Sequence, residues 1–162
     1  MQRVIGGKGY VSQVSVTRPA NTTAYTAGDV VGATAAAIEF ADIGPSFGVV
    51  SITDSDLRID VTGVPAGMTS FRLHLYNVTP PSALADNAAW DLPAGDRASY
   101  LGYIDLGTPV DVGSTLFVQT DGSGAKTFQM KTSSLFGYLV TNGGFTPTSA
   151  AVKSIRLCAM GA

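Results

Sequence analysis

Histidine, cysteine and tryptophan each occur once in the 162 residues, at His74, Cys158 and Trp90. One cysteine excludes an internal disulfide framework and a zinc site of several thiolates, and one histidine excludes sites that need two imidazoles. Charge is also scarce: Asp, Glu, Lys and Arg make up 14% of the chain, far below the usual quarter of a soluble domain. With 10 Lys and Arg against 12 Asp and Glu, the net charge of -2 leaves no basic footprint for nucleic acid. No apolar run reaches the roughly 20 residues that span a bilayer, so no membrane partner is expected. The opening MQRVIGGKGYVSQ has no apolar centre of the signal-peptide kind, and a protein made in a cytoplasm, and either kept or packed into a particle there, is the expectation.

What remains is Gly, Pro, Thr, Ser and β-formers. The 19 Gly and 8 Pro fall at short intervals and leave little room for a helix of ordinary length. Between them, FRLHLY sets Phe71, Leu73 and Leu75 on one face and Arg72, His74 and Tyr76 on the other, a half-buried strand. DLRIDV repeats the pattern with Leu57, Ile59 and Val61, and AAIEF with Ile38 and Phe40. Further strands are expected over residues 10–18, 27–33, 46–53, 100–106, 114–121, 126–132, 135–141 and 152–160. At TDSD the apolar phase slips from Val50 and Ile52 to Leu57 and Ile59, which implies a bulge. QTDGSGAKTF reads as a hairpin turn through Asp121, Gly122 and Gly124. About ten short strands with turns between them predict an all-β chain, an antiparallel β-sandwich of jelly-roll type. Its single domain covers residues 13–162, preceded by a flexible arm over residues 1–12. In LFGYLV, Leu135, Phe136, Tyr138, Leu139 and Val140 are apolar on both faces; the strand is either buried twice or turns its outer face to another subunit.

Each residue able to carry chemistry has a plainer reading beside it. His74 has no Gly-x-Ser-x-Gly elbow to accompany it and reads as an outward-facing strand residue rather than a catalytic base. Asp54, Asp56 and Asp60 alternate as cation ligands can, but the spacing lacks the closing Glu of a calcium loop, and self-capping at a kink is the better reading. VIGGKGY is glycine-rich without the phosphate-loop spacing and is read as an arm exposing Lys8. Asp86, Asp91 and Asp96 supply carboxylates without selecting a pair for glycoside hydrolysis. Cys158 has no activating base near it in sequence. No catalytic, metal or cofactor site is expected, and the chain is read as a non-enzyme.

YNVTPPSALADNAAWDL, residues 76–92, crowds Asp86, Asn87, Trp90 and Asp91 together. Pro80 and Pro81 stop the preceding strand, one short helical turn is expected near residues 82–89, and Trp90 serves as an apolar anchor. Asp86 and Asn87 are expected to bond turn backbone.

The same residues carry a resemblance. FRLHLYN running into TPPSALADNAAWDL and closing with YLGYIDLG, preceded by TRPANTTAYTAGDVVG, resembles a recurrent pattern of tailed-bacteriophage virion proteins across residues 14–107. The acidic stretch at DLPAGDRASY is shorter than in that pattern, and the C-terminal third matches no motif. The resemblance implies a small β-sandwich that decorates or cements the capsid surface of the virion, bound to the major capsid protein, as a homotrimer. On that reading Leu135, Phe136, Tyr138 and Val140 are candidates for the trimer interface, and Arg3, Lys8 and Tyr10 for a capsid-contacting arm. A carbohydrate- or receptor-binding module of a head or tail fibre is the alternative, with Trp90, Asp86, Asn87, Tyr100 and Tyr103 as its glycan platform.

Overall fold

The computed structural model describes residues 7–33, 36–122 and 126–161. Ten strands follow in order: β1 (Gly9–Thr17), β2 (Ile38–Phe40), β3 (Val49–Ile59), β4 (Phe71–Tyr76), β5 (Tyr100–Gly107), β6 (Val110–Asp111), β7 (Leu116–Asp121), β8 (Thr127–Gln129), β9 (Leu135–Thr141) and β10 (Val152–Gly161). One sheet has the order β1-β10-β3-β7-β6, with β8 also on β3; the other has the order β2-β9-β4-β5. Every pairing is antiparallel. The main pairs are nested in sequence, β1 with β10, β2 with β9, β3 with β7 and β4 with β5. Such nesting is one long hairpin rolled into two facing sheets, the jelly roll that the alternation in the sequence predicts.

The core forms where the inward sets of the two sheets meet. Leu57, Ile59, Leu116, Ile155 and Leu157 from one sheet face Phe40, Phe71, Leu73, Leu75 and Leu139 from the other, and all are buried. Each such side chain contributes roughly 1.5–3 kcal/mol by leaving water. The bulge expected at TDSD is present. Cys158 pairs with Asp54 and Ala159 with Ile52, which leaves Thr53 as the extra residue in β3.

Four local expectations are corrected. The glycine-rich segment after Asp121 does not reverse the chain: β7 pairs with Asp54–Ile59 and β8 with Val49–Ser51, both antiparallel to β3, so the two run on along one edge. Turn residues signal departure from a sheet without dictating reversal, and the excursion leaves at Thr53, where Gly122 N donates to Thr53 O at 2.7 Å. Gly124 lies outside the described residues. The stretch 27–33 makes only isolated bridges, Asp29 with Ala89 and Val30 with Val140. Residues 9–12, placed in a flexible arm, are the start of β1, and Tyr10 packs against the core.

The helical turn near residues 82–89 is absent. A β-turn stands there, with Ala88 N donating to Ala85 O at 3.2 Å and Asn87 at φ 66°. Asn is among the few residues that tolerate that conformation, which a helix excludes. The N–H groups a helix would use are taken across the chain: Asp86 N donates to Ala33 O, Asn87 N to Val30 O and Trp90 N to Gly28 O.

Candidate functional site

These cross-bonds lay residues 24–33 and 82–92 over the outer face of β4 and β9. There they form a second apolar layer, in which Val30, Tyr76, Tyr138 and Val140 are buried and Leu84, Trp90, Leu92 and Phe136 pack around them. The apolar outer face of LFGYLV is thereby accounted for within the chain, as the strand buried on both sides. Leu135, Tyr138 and Val140 are buried and unavailable as a trimer interface, and Phe136 alone of the four candidates is partly exposed. Tyr138 also ties the layer to its sheet, its hydroxyl donating to Ser82 O at 2.9 Å.

A buried polar network pins this layer. Arg18, whose side chain is 0% exposed, meets Asp86, 4% exposed, at 3.4 Å. Its Nε donates to Tyr25 Oη at 3.1 Å, and its Nη2 to Asn21 Oδ1 at 2.9 Å. Tyr25 Oη donates in turn to Asp86 Oδ1 at 2.5 Å, and Gly32 N donates to the same oxygen at 2.9 Å. Burial and the adjoining carboxylate push the Tyr25 hydroxyl up, so it stays a donor. Asp29 fastens the next turn by accepting from Thr26 N and Oγ1 at 2.6 and 3.0 Å, and Gly28 takes φ 94°, where a side chain would be strained. Asn87, with its amide nitrogen towards them, donates to Ala24 O and Asp29 Oδ2. Tyr25, Gly28, Asp29 and Gly32 of TAYTAGDVVG thus each hold a specific bond or backbone angle against ADNAAW.

Beside the network lies an aromatic cluster. Trp90 stacks on His74 with ring centroids 3.8 Å apart, and Tyr100 and Tyr103 flank the histidine at 6.0 and 5.5 Å. His74 is outward on its strand as expected, yet only 5% exposed because Trp90 covers it. Burial, and secondarily the charge of Arg72, lower its pKa to about 4, leaving a neutral ring with Nδ1 2.9 Å from Tyr100 Oη. Arg72 and Lys126 both approach the Tyr103 ring, at 4.6 and 4.7 Å from its centroid. Arg72 Nε also donates to Asp105 at 2.8 Å. Of the five residues of the glycan platform, Trp90, Tyr100 and Tyr103 come together. Asp86 and Asn87 do not, because their polar atoms are committed inside the network.

The remaining candidates are dispersed. On the outer face of the first sheet Arg156 meets Asp56 at 2.6 Å and Asp54 at 3.8 Å, Arg58 meets Asp56 at 3.5 Å, and Gln119 donates to Asp54. These carboxylates are neutralised by guanidinium groups, and no cluster of three metal-ligating side chains occurs among the described residues. Cys158 is half-buried beside them, and burial pushes its thiol up, away from a reactive thiolate. Lys8 lies over the Tyr10 ring at 5.3 Å, and Arg3 lies outside the described residues.

Arg18 and Lys153 are the residues that sequence reasoning missed. In VKSIRLC, Ile155 and Leu157 face inward, and the same period of two places Lys153 inward with them. It is 2% exposed with no hydrogen-bond partner for Nζ among the described residues, and burial lowers its pKa to about 8. Arg18 carried a weaker signal, a lone charge among Thr, Ala and Asn.

The strand order defines an eight-strand jelly roll with two short additions, a fold used by capsid proteins, lectins and cupins. No protein family matches the sequence, and no curated protein sequence is similar to it. Solved structures with a similar chain path include the capsid of cyanophage Pam1, at 15% identity over 99% of this chain and 89% of that chain, TM-score 0.38. The capsid of Ralstonia phage GP4 is 10% identical over 98% and 86%, TM-score 0.44. A lipoprotein of Bacteroides thetaiotaomicron is 12% identical over 95% and 84%, TM-score 0.32. At these values nothing about the function of this chain rests on them.

Proposed function

We propose that this protein is a structural component of a tailed-phage virion, binding the major capsid protein at the capsid surface and cementing the shell. The observation that carries the reading is the meeting of Arg18, Tyr25 and Gly32 with Asp86. The two segments that resemble the phage pattern, widely separated in sequence, are partners in one buried network, so the pattern has a structural reason to recur as a set. The low charge supports the reading too: a Ser, Thr and Gly-rich surface is suited to burial against neighbours rather than to solubility as an isolated monomer. A cement protein needs contacts of modest strength summed over many copies.

The assembled state on this reading is a trimer, through a surface other than the covered outer face of β9. The test is addition of the purified protein to capsids that lack it. High-occupancy binding and raised resistance of the particles to heat or chaotrope are expected; capsids that neither bind nor gain resistance contradict the reading. The fibre-module alternative is separated by Trp90→Ala, which abolishes glycan or host-cell binding on that reading and leaves capsid binding intact on the cement reading.

A further inference from the structure

Five strands pair on one side only: β1, β6 and β8 in one sheet, β2 and β5 in the other. An open edge presents unpaired N–H and C=O groups to any extended chain, and proteins blunt such edges by shortness, charge, bulges or cover. Four of the five are blunted here. β8 has three residues. β6 has two residues. β2 has three, with exposed Glu39 at its centre. β5 is irregular: its register with β4 shifts twice, Gly102 takes φ 108°, and side chains cap two carbonyls, Lys126 Nζ donating to Tyr103 O and Thr120 Oγ1 to Leu106 O.

β1 has none of these devices. Its nine residues, GYVSQVSVT, contain no charge and no proline, and its register with β10 runs unbroken from Gly9 to Thr17. No side chain among the described residues caps its backbone. Val11, third in the strand, is 64% exposed.

We propose that β1 is a docking edge for a second copy of this chain, two β1 strands pairing antiparallel about a two-fold axis at Gln13 to make one continuous sheet from two sandwiches. The strand is complementary to itself in this register. Inward-facing Tyr10 falls opposite Val16 and Ser12 opposite Val14, while outward-facing Val11 falls opposite Ser15 and Gln13 opposite its own copy. The half-buried Tyr10 and Val14 gain cover, and no pair within the strand sets like charges against each other. Beyond the strand, Lys8 falls opposite Arg18, whose guanidinium is turned inward onto Asp86. The contact is isologous, so it uses a surface separate from any cyclic contact that makes a trimer.

A charge introduced at the axis tests it, because Gln13 is exposed and its replacement leaves the core untouched. By sedimentation at tens of micromolar, the wild-type chain is expected at twice 16.6 kDa or a multiple of that pair. Gln13→Lys and Gln13→Glu, which set like charges opposite each other, are each expected to halve the mass, and their equimolar mixture to restore it. Wild-type protein that stays monomeric at several hundred micromolar overturns the proposal. So does a trimer unaffected by either substitution, although that result leaves the capsid reading standing. Hydrogen exchange gives a second readout: alternate β1 amides slow on dimerisation in the wild type and not in either variant alone.

Discussion

Arg18 and Asp86, 68 residues apart, form an ion pair at 3.4 Å with both side chains shielded from water. A pair so placed adds little net stability over a well-packed apolar substitute, yet removing one partner strands a buried charge. Asp86→Ala is therefore expected to cost about 3–5 kcal/mol in chemical denaturation. Asp86→Asn, which keeps an acceptor for Tyr25 and Gly32, should cost less. A loss below about 1 kcal/mol for Asp86→Ala would show that the network does not pin the outer layer.

Lys153 buries an ammonium with no hydrogen-bond partner among the described residues. Its pKa falls from the ordinary 10.5 to about 8, so between those values the unfolded chain holds a proton that the folded chain has released. Stability should accordingly rise with pH from about 8 to 10.5. Lys153→Met should remove that rise and stabilise the protein at pH 7 by about 1–3 kcal/mol, since an uncompensated polar group leaves the interior. Urea midpoints at pH 7, 8 and 10 check both statements.

His74 lies under Trp90 with its pKa lowered to about 4 by burial first and by Arg72 second. Between about pH 6.5 and 4 the unfolded chain binds a proton that the folded chain does not, so stability falls as pH drops through that window. His74→Phe keeps the stack and should show a smaller loss between pH 7 and 5. Identical losses for the two proteins would contradict the assignment.

Phe47 is 79% exposed at φ 60°, third in the turn closed by Gly48 N on Pro45 O. Glycine suits that position and an aromatic residue does not. With little ring burial to lose, Phe47→Gly should stabilise the isolated protein by about 1 kcal/mol. Thermal unfolding measures it, and destabilisation would mean that the ring packs in solution.

Period-two alternation made β3, β4 and the jelly-roll class legible, because the faces of a half-buried strand differ wherever one meets the core. The slip between Ile52 and Leu57 placed the bulge for the same reason. LFGYLV was readable only as a pair of alternatives, since apolar residues on both faces do not say what covers them. The cover comes from residues 24–33 and 82–92, whose contacts depend on Asn87 taking a positive φ and on backbone bonds to residues distant in sequence. Arg18 and Tyr25 were illegible for that reason: their partner Asp86 is identified only once the chain has folded. Lys153, by contrast, was missed although the alternation of Ile155 and Leu157 carries the signal that places it inward. Gly122 and Gly124 marked an excursion from the sheet, but the direction in which the chain resumes depends on β3, which offers one edge long enough for both β7 and β8.

The most direct test of the central claim is cryo-electron microscopy of the source particle at a resolution that traces this fold. Jelly rolls are expected in many copies on the outer surface of the shell, in contact with the major capsid protein, with residues 24–33 and 82–92 ordered over β4 and β9. Absence of the chain from the particle, or its confinement to a few copies at a fibre, would contradict it.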